Sequence, residues 1–380
     1  MRYNVAPQPL IVLLSASRIM PINANNDIEK AISGISVPYL EQTIGEAGLK
    51  YRLEESGDGV QLTLILGFPV AKAKAQIESD LSASLSEATG KAATVVIETK
   101  IVGHAVQGTL VPLPNVKNII AVASGKGGVG KSTVSVNLAL ALSADGANVG
   151  ILDADIYGPS QARMLGSSGQ NLVSKDGKNF EPIVAHGLSM VSAGNLFDEE
   201  QPAVWRGPKV TQALIQLSQQ TNWPGLDYLI IDMPPGTGDL QLTLSQKVPV
   251  AGAVVVTTPQ DIALIDARKG YKMFEKVNID VLGVVENMST FVCPHCGETT
   301  ALFGEGGGEA MAHDYELPLL GQVPLNAAIR LEADSGNPSV VADPDGPAAS
   351  EFMNIARKVS AALSLRKKDY KKTFANVVVE

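Results

Sequence analysis

Residues 119–134 read IIAVASGKGGVGKSTV, and their order decides the fold. Ile119 to Ala123 is a continuous apolar run without polar alternation, the pattern of a strand buried on both faces. Gly125, Lys126, Gly127, Gly128, Val129 and Gly130 follow it, and Lys131, Ser132 and Thr133 open a helix. G-x-x-x-x-G-K-S between a strand and a helix is a phosphate-binding loop. Glycines let successive N–H groups turn inward around phosphate oxygens, and the helix N-terminus adds positive potential. Lys131 would reach the β- and γ-phosphates of ATP, and Ser132 would offer its hydroxyl to Mg2+.

Four more runs share the continuity of the first: Val149 to Leu152, Tyr228 to Ile231, Ala253 to Thr257 and Val281 to Val285. Helical segments alternate with them, so the expected architecture is an α/β P-loop NTPase, a mainly parallel sheet covered by helices on both faces. Carboxylates stand where a nucleotide site needs them. Asp232 closes the run LIID and is expected to organise the Mg2+ shell, while Asp153 and Asp155 are candidates to position a magnesium water and the attacking water. Capping of a following turn is the competing reading for a strand-end Asp. Gly236, Thr237 and Gly238 form a turn suited to sensing the γ-phosphate.

Upstream lies a different pattern. A helix over Ile28 to Ile35, strands over Leu49 to Leu53 and Val60 to Leu66, a helix over Ala71 to Leu85 and a β-rich run over Ala93 to Ile101 predict a small α/β domain at 27–107. Pro112 and Pro114 mark 108–117 as a linker. The ATPase domain is expected at 118–365, with a basic tail at 366–380 and an extension, disordered if anything, at 1–26.

The 380 residues are 45% hydrophobic and 18% charged, so the chain can bury large cores. A formal charge of −9, from 30 basic and 39 acidic residues, lacks the positive field of a non-specific nucleic acid binder. No apolar run approaches the ~20 residues that span a bilayer. The stretch Pro9 to Ser17 lacks a small-x-small cleavage signal. A cytoplasmic protein that engages neither nucleic acid nor membrane is the expectation.

Only two cysteines occur, Cys293 and Cys296, in the order CPHC. Such a pair supplies two of the about four ligands wanted by a tetrahedral zinc or an iron–sulfur cluster, so a symmetric dimer would complete the set on its two-fold axis. A zinc clamp, a redox dithiol and inert buried cysteines are the alternatives.

The segments SGKGGVGKST, DADIYGPS, VWRGP, DYLIIDMPPGTGD, TTPQDIAL, VLGVVENMSTFVCPHCG and LFGEGGG, in order from Ile119 to Pro338, resemble the Mrp/ApbC family of iron–sulfur cluster carrier ATPases. That family shares its superfamily with the nitrogenase iron protein. The resemblance implies an ATP-binding and ATP-hydrolysing homodimer that holds a bridging 4Fe-4S cluster on Cys293 and Cys296. It would exchange clusters with scaffold proteins and apo iron–sulfur proteins. Lys126 matches the lysine that crosses the dimer interface in deviant Walker-A loops. Asp155 becomes the water-positioning residue and Asp232 the switch carboxylate; Asn287 falls where the superfamily reads adenine. The partitioning-type ATPases, which act as spatial switches, share the deviant loop but need no cysteine pair. The N-terminal unit is similar to the small iron–sulfur assembly domain that often precedes this ATPase. It departs from it in reading ISVPY at 35–39 and in lacking a cysteine around Gly67, Phe68 and Pro69.

Overall fold

The structure, a computed structural model, describes residues 26–56, 59–108, 110–195, 207–293 and 295–369. The extension expected at 1–26 lies outside them except for Asn26, as do residues 370–380 of the basic tail and Val204, Trp205 and Arg206.

The N-terminal unit begins with α1 (Asn26–Ser33), the short antiparallel pair β1 (Ser36–Val37) and β2 (Gln42–Thr43), and the hairpin β3 (Lys50–Ser56) and β4 (Gly59–Leu66). The crossover helix α2 (Lys74–Thr89) then returns the chain to β5 (Ala92–Thr99), parallel to β4. Alternate residues Val60, Leu62, Leu64 and Leu66 of β4 are buried, and Ile77, Leu81 and Leu85 of α2 line up at four-residue spacing to cover them.

The second unit follows in chain order: β6 (Val116–Ser124), α3 (Lys131–Ala144), β7 (Val149–Asp153), α4 (Gln161–Met164), β8 (Ile183–Ala185), β9 (Leu188–Ser192), α5 (Gly207–Gln219), β10 (Leu226–Asp232), α6 (Asp239–Lys247), β11 (Gly252–Thr257) and α7 (Asp261–Lys276). The remaining elements are β12 (Val281–Val292), β13 (Thr299–Thr300), α8 (Gly307–Asp314), β14 (Leu319–Leu325), α9 (Ala327–Asp334), α10 (Ser339–Ala342) and α11 (Pro347–Ser364). The sheet runs β14–β12–β11–β6–β10–β7–β9–β8; only β8 on this path is antiparallel, and β13 pairs antiparallel with the far end of β12. Ile120 and Val122 of β6 point into the core shared with α3 and α11, while Ile119, Ala121 and Ala123 point into the core beneath α5, α6 and α7. A strand wedged between two helix layers has no polar face, which is why its sequence reads as unbroken apolar residues. The chain leaves β6 in one direction, to β7, and returns on the other side through β11. The crevice at the carboxyl ends of β6 and β10 is therefore where an open α/β sheet binds ligand.

Two expectations change. Val116 and Lys117, read as linker, already belong to β6, and residues 103–107 lie on the second unit: Ala105 N–H donates to the Lys367 carbonyl, and Gln107 Nε2 donates to the Ser245 and Val248 carbonyls. Strand β12 runs to Val292 rather than ending at Val285, with a break in its register against β14 between Asn287 and Phe291 and a φ of +57° at Met288. The N-terminal unit docks on the far end of α3. Arg357 of α11 donates to both oxygens of Asp145, at 2.7 and 3.2 Å, and to the Tyr39 hydroxyl at 3.2 Å; Lys72 N–H donates to Asp145 Oδ1 at 2.9 Å. Ala361 of α11 joins the N-terminal unit's own core.

Candidate functional site: a phosphate loop and a cysteine hairpin

Gly128 and Gly130 adopt φ of +84° and +80°, turning the backbone between β6 and α3 as a phosphate cradle requires. A Cβ on Gly125 would overlap the backbone of Asp266, so α7 packs directly against the loop. The Ser124 hydroxyl donates to the Lys126 carbonyl at 2.8 Å, and the Gly236 N–H donates to the Ser124 carbonyl at 3.0 Å, tying the Gly236–Gly238 turn to the loop. The first turn of α3 carries no acidic residue to neutralise its positive end. Lys126 is part-exposed, its Nζ 3.4 Å from Gln260 Oε1.

Behind the loop lies a buried charged cluster. Lys131 Nζ donates to Asp232 Oδ1 at 2.5 Å and stands 4.0 Å from Asp155 Oδ2 and 3.3 Å from Ser132 Oγ. Asp232 is wholly buried and also accepts from Ser135 Oγ and Gln161 Nε2, each at 2.9 Å. Burial pushes the Asp155 carboxyl above its ordinary value, Lys131 opposing the shift and Asp232 adding to it.

Asp153 sits differently from the other two carboxylates. Its Oδ2 accepts from the Ser160 and Gln161 N–H groups at 2.9 and 3.0 Å and from Ser192 Oγ at 3.0 Å, while its Oδ1 accepts from the Asp155 N–H at 3.1 Å. These four donors belong to the turn after β7, the first residue of α4 and β9, so its contacts are those of a turn-capping residue. Burial, with the like charge of Asp232, raises its carboxyl to about 7 against the pull of Lys131 and the backbone donors. Asn287 is buried, and its Nδ2 donates to the Val129 carbonyl at 2.8 Å; a Cβ on Gly130 would strike that amide. Sequence reasoning passed over Ser135 and Gln161, whose contacts are tertiary and carry no signature in spacing.

Cys293 follows β12 directly. The Cys293 N–H donates to the Glu298 carbonyl and the Gly297 N–H to the Cys293 carbonyl, both at 2.9 Å, closing a small hairpin. Cys293 is part-exposed and Cys296 exposed, and neither is in a disulfide, which removes the inert-buried reading. The backbone N–H groups of Cys296 and His295 hold the Cys293 thiol below its ordinary range, with the Cys296 side chain adding to the effect. Among the described residues no group of three or more His, Cys, Asp or Glu is placed to hold a metal. The glycine run after the hairpin is explained by packing: Gly307 lies against Pro259 and Leu264, and Gly308 donates to the buried Glu286 carboxylate.

The iron–sulfur cluster carrier protein of Haemophilus influenzae is 49% identical over 347 residues, 89% of this chain and 92% of that one. The protein of the same name from Escherichia coli K12 is 50% identical over 332 residues, 86% of this chain and 89% of its own length. Among solved structures, the nucleotide-binding protein of Archaeoglobus fulgidus in complex with ADP superimposes with a TM-score of 0.55 at 36% identity, covering 63% of this chain and 93% of that one. Residues 115–360 match the ParA family described as NUBPL iron-transfer P-loop NTPase. With its loop, carboxylates and cysteine pair arranged on that sheet, the chain belongs to this family of iron-transfer P-loop NTPases.

Proposed function

We propose that the protein carries an iron–sulfur cluster to apo-proteins and uses ATP to control its grip on it. One observation carries the reading: β12 touches the phosphate loop through Asn287 and ends at Val292, directly before Cys293, so one strand would link nucleotide and cargo. Relatives at 49 and 50% identity, named for cluster carriage, support the same assignment.

ATP would lie along Gly125–Thr133, its phosphates on the loop N–H groups and its adenine edge within reach of an amide such as Asn287. Lys131 now neutralises Asp232, and a γ-phosphate would draw the ammonium away from it. A buried carboxylate cannot be left uncompensated, so Asp232 then fits a cation, with Ser132 as hydroxyl ligand; Mg2+ would supply charge neutralisation for phosphoryl transfer. Asp155, displaced from the same ammonium, would orient the attacking water. Asp153 would hold the turn that carries Asp155, a supporting role in place of direct metal contact. Lys126 would reach the nucleotide of a second subunit.

Two thiolates per chain are half of a cluster's ligand set, which argues for a 4Fe-4S cluster shared by a homodimer. The N-terminal unit at 27–107 would be a docking or regulatory module, since it has no cysteine to hold cargo. Anaerobic reconstitution followed by metal analysis and transfer to an apo-enzyme tests the proposal: a brown chromophore and recipient activation are expected, whereas one zinc per dimer and no chromophore would overturn it.

A further inference from the structure

Gln161 has no place in the loop-and-carboxylate scheme above, yet it is wholly buried at the centre of the site. Its Nε2 donates to the Ser132 carbonyl at 3.0 Å and to Asp232 Oδ2 at 2.9 Å, and its own backbone N–H donates to Asp153 Oδ2 at 3.0 Å. One residue thus joins three segments: the first turn of α3, the end of β10 and the end of β7. Its Oε1 is buried and has no partner among the described residues. An unpaired buried carbonyl costs about 1–3 kcal/mol, so its retention beside a phosphate site calls for a donor that the site itself brings.

We infer that Gln161 is a positioning residue for the cation shell of the nucleotide, its Nε2 holding Asp232 in place while its Oε1 stands ready to accept from a water of that shell. The inference rests on the ATP reading above. The need for such a residue follows from charge. Asp232 is held on Oδ1 by Lys131 and Ser135 and on Oδ2 by Gln161. When Lys131 turns to phosphate, the two neutral donors keep the carboxylate's orientation without competing for its charge. A second lysine at position 161 would pair with the carboxylate and exclude the cation, and an apolar residue would let the carboxylate rotate; an amide does neither. The link to Ser132 and Asp153 also makes the turn bearing Asp155 move with that shell.

The test is the Mg2+ dependence of nucleotide binding, read by titrating a fluorescent ADP into the full chain with EDTA and then at graded Mg2+. Gln161→Met keeps the volume and removes both polar atoms. Its Mg2+-free affinity should stay within about twofold of wild type, since the loop donors are untouched, while the Mg2+ concentration for half-maximal enhancement rises about tenfold, the effect of roughly 1.4 kcal/mol. Ser135→Ala, a milder change at the other oxygen, should shift the same midpoint in the same direction by less. Unchanged midpoints in both variants, or equal losses with and without Mg2+, would overturn the positioning role. Wild-type protein that binds no nucleotide under any condition would instead bring down the ATP reading, and this inference with it.

Discussion

The Asn287 side-chain amide donates to the Val129 carbonyl at 2.8 Å, joining the phosphate loop to a strand 158 residues further along the chain. Six residues beyond Asn287, directly after that strand ends, is Cys293. Between them Met288 takes a left-handed φ of +57°, and the register against β14 shifts before Phe291 pairs with Leu325, so β12 bends locally ahead of the cysteine hairpin.

The bend is specific to residue type. Left-handed backbone costs a non-glycine residue about 1–2 kcal/mol, and more when the side chain is branched at Cβ. Met288→Val should lower stability by at least about 1 kcal/mol, whereas Met288→Gly should not. Urea unfolding of the two variants checks the order.

At Gly130 backbone and packing act together. Gly130→Ala places a methyl in left-handed backbone and against Asn287. The loop must give way, and ADP affinity by calorimetry should fall at least about tenfold. Asn287→Ala leaves the glycine conformation alone and should cost less.

Cargo and nucleotide sites should separate cleanly. Lys131→Ala is expected to lose ATP turnover and still bind cluster; Cys293→Ala is expected to lose chromophore and transfer and still bind nucleotide. Absorbance after reconstitution, phosphate release and ADP titration on both variants give the four readings. If neither variant differs from wild type, the division of labour is wrong.

Asp153 sets a pH signature. Its folded carboxyl is raised to about 7, well above the ordinary carboxylate range, so the stability it contributes is full below about 4 and is lost as pH rises through about 7. In nucleotide-free protein, wild type should therefore lose more stability between pH 5.5 and 7.5 than Asp153→Asn does, by about 1–2 kcal/mol at the 1.36 kcal/mol that each unit is worth. Denaturant melts at the two pH values measure the difference.

The Arg357–Asp145 ion pair ties α11 to the end of α3, where Tyr39 and Lys72 of the N-terminal unit meet it, and is nearly closed to water, with side-chain exposures of 11% for Arg357 and 1% for Asp145. Removing one partner of a buried pair costs about 3–5 kcal/mol, because the other charge stays behind unpaired. Arg357→Ala should lose about that much, and calorimetry should resolve an earlier transition for residues 26–99. Arg357→Lys, which cannot form the two-pronged contact, should recover only part of it.

The strands of the P-loop domain were legible because a two-faced strand has no polar residues to hide its course, and the loop was legible because its glycines and Lys131 stand in a fixed order. Strands β9 and β14 were not read. The first, LSMVS, is interrupted by the buried Ser189 and Ser192, and the second, LLGQVPL, carries Gly321 and Pro324 at the sheet's edge, where neither is penalised. The capping contacts of Asp153, the Ser135 and Gln161 bonds to Asp232, and the Arg357–Asp145 pair depend on residues brought together by folding, and sequence spacing holds no record of them. The cysteine spacing gave the ligand count but could not place the pair beyond a bend.

Because Cys293 and Cys296 stand past Met288, outside all three hydrophobic cores, their arm adds little to what keeps the domain folded. Emptying it should leave the scaffold as sturdy as before. On the proposed reading, taking up and releasing cargo would leave the folded scaffold untouched.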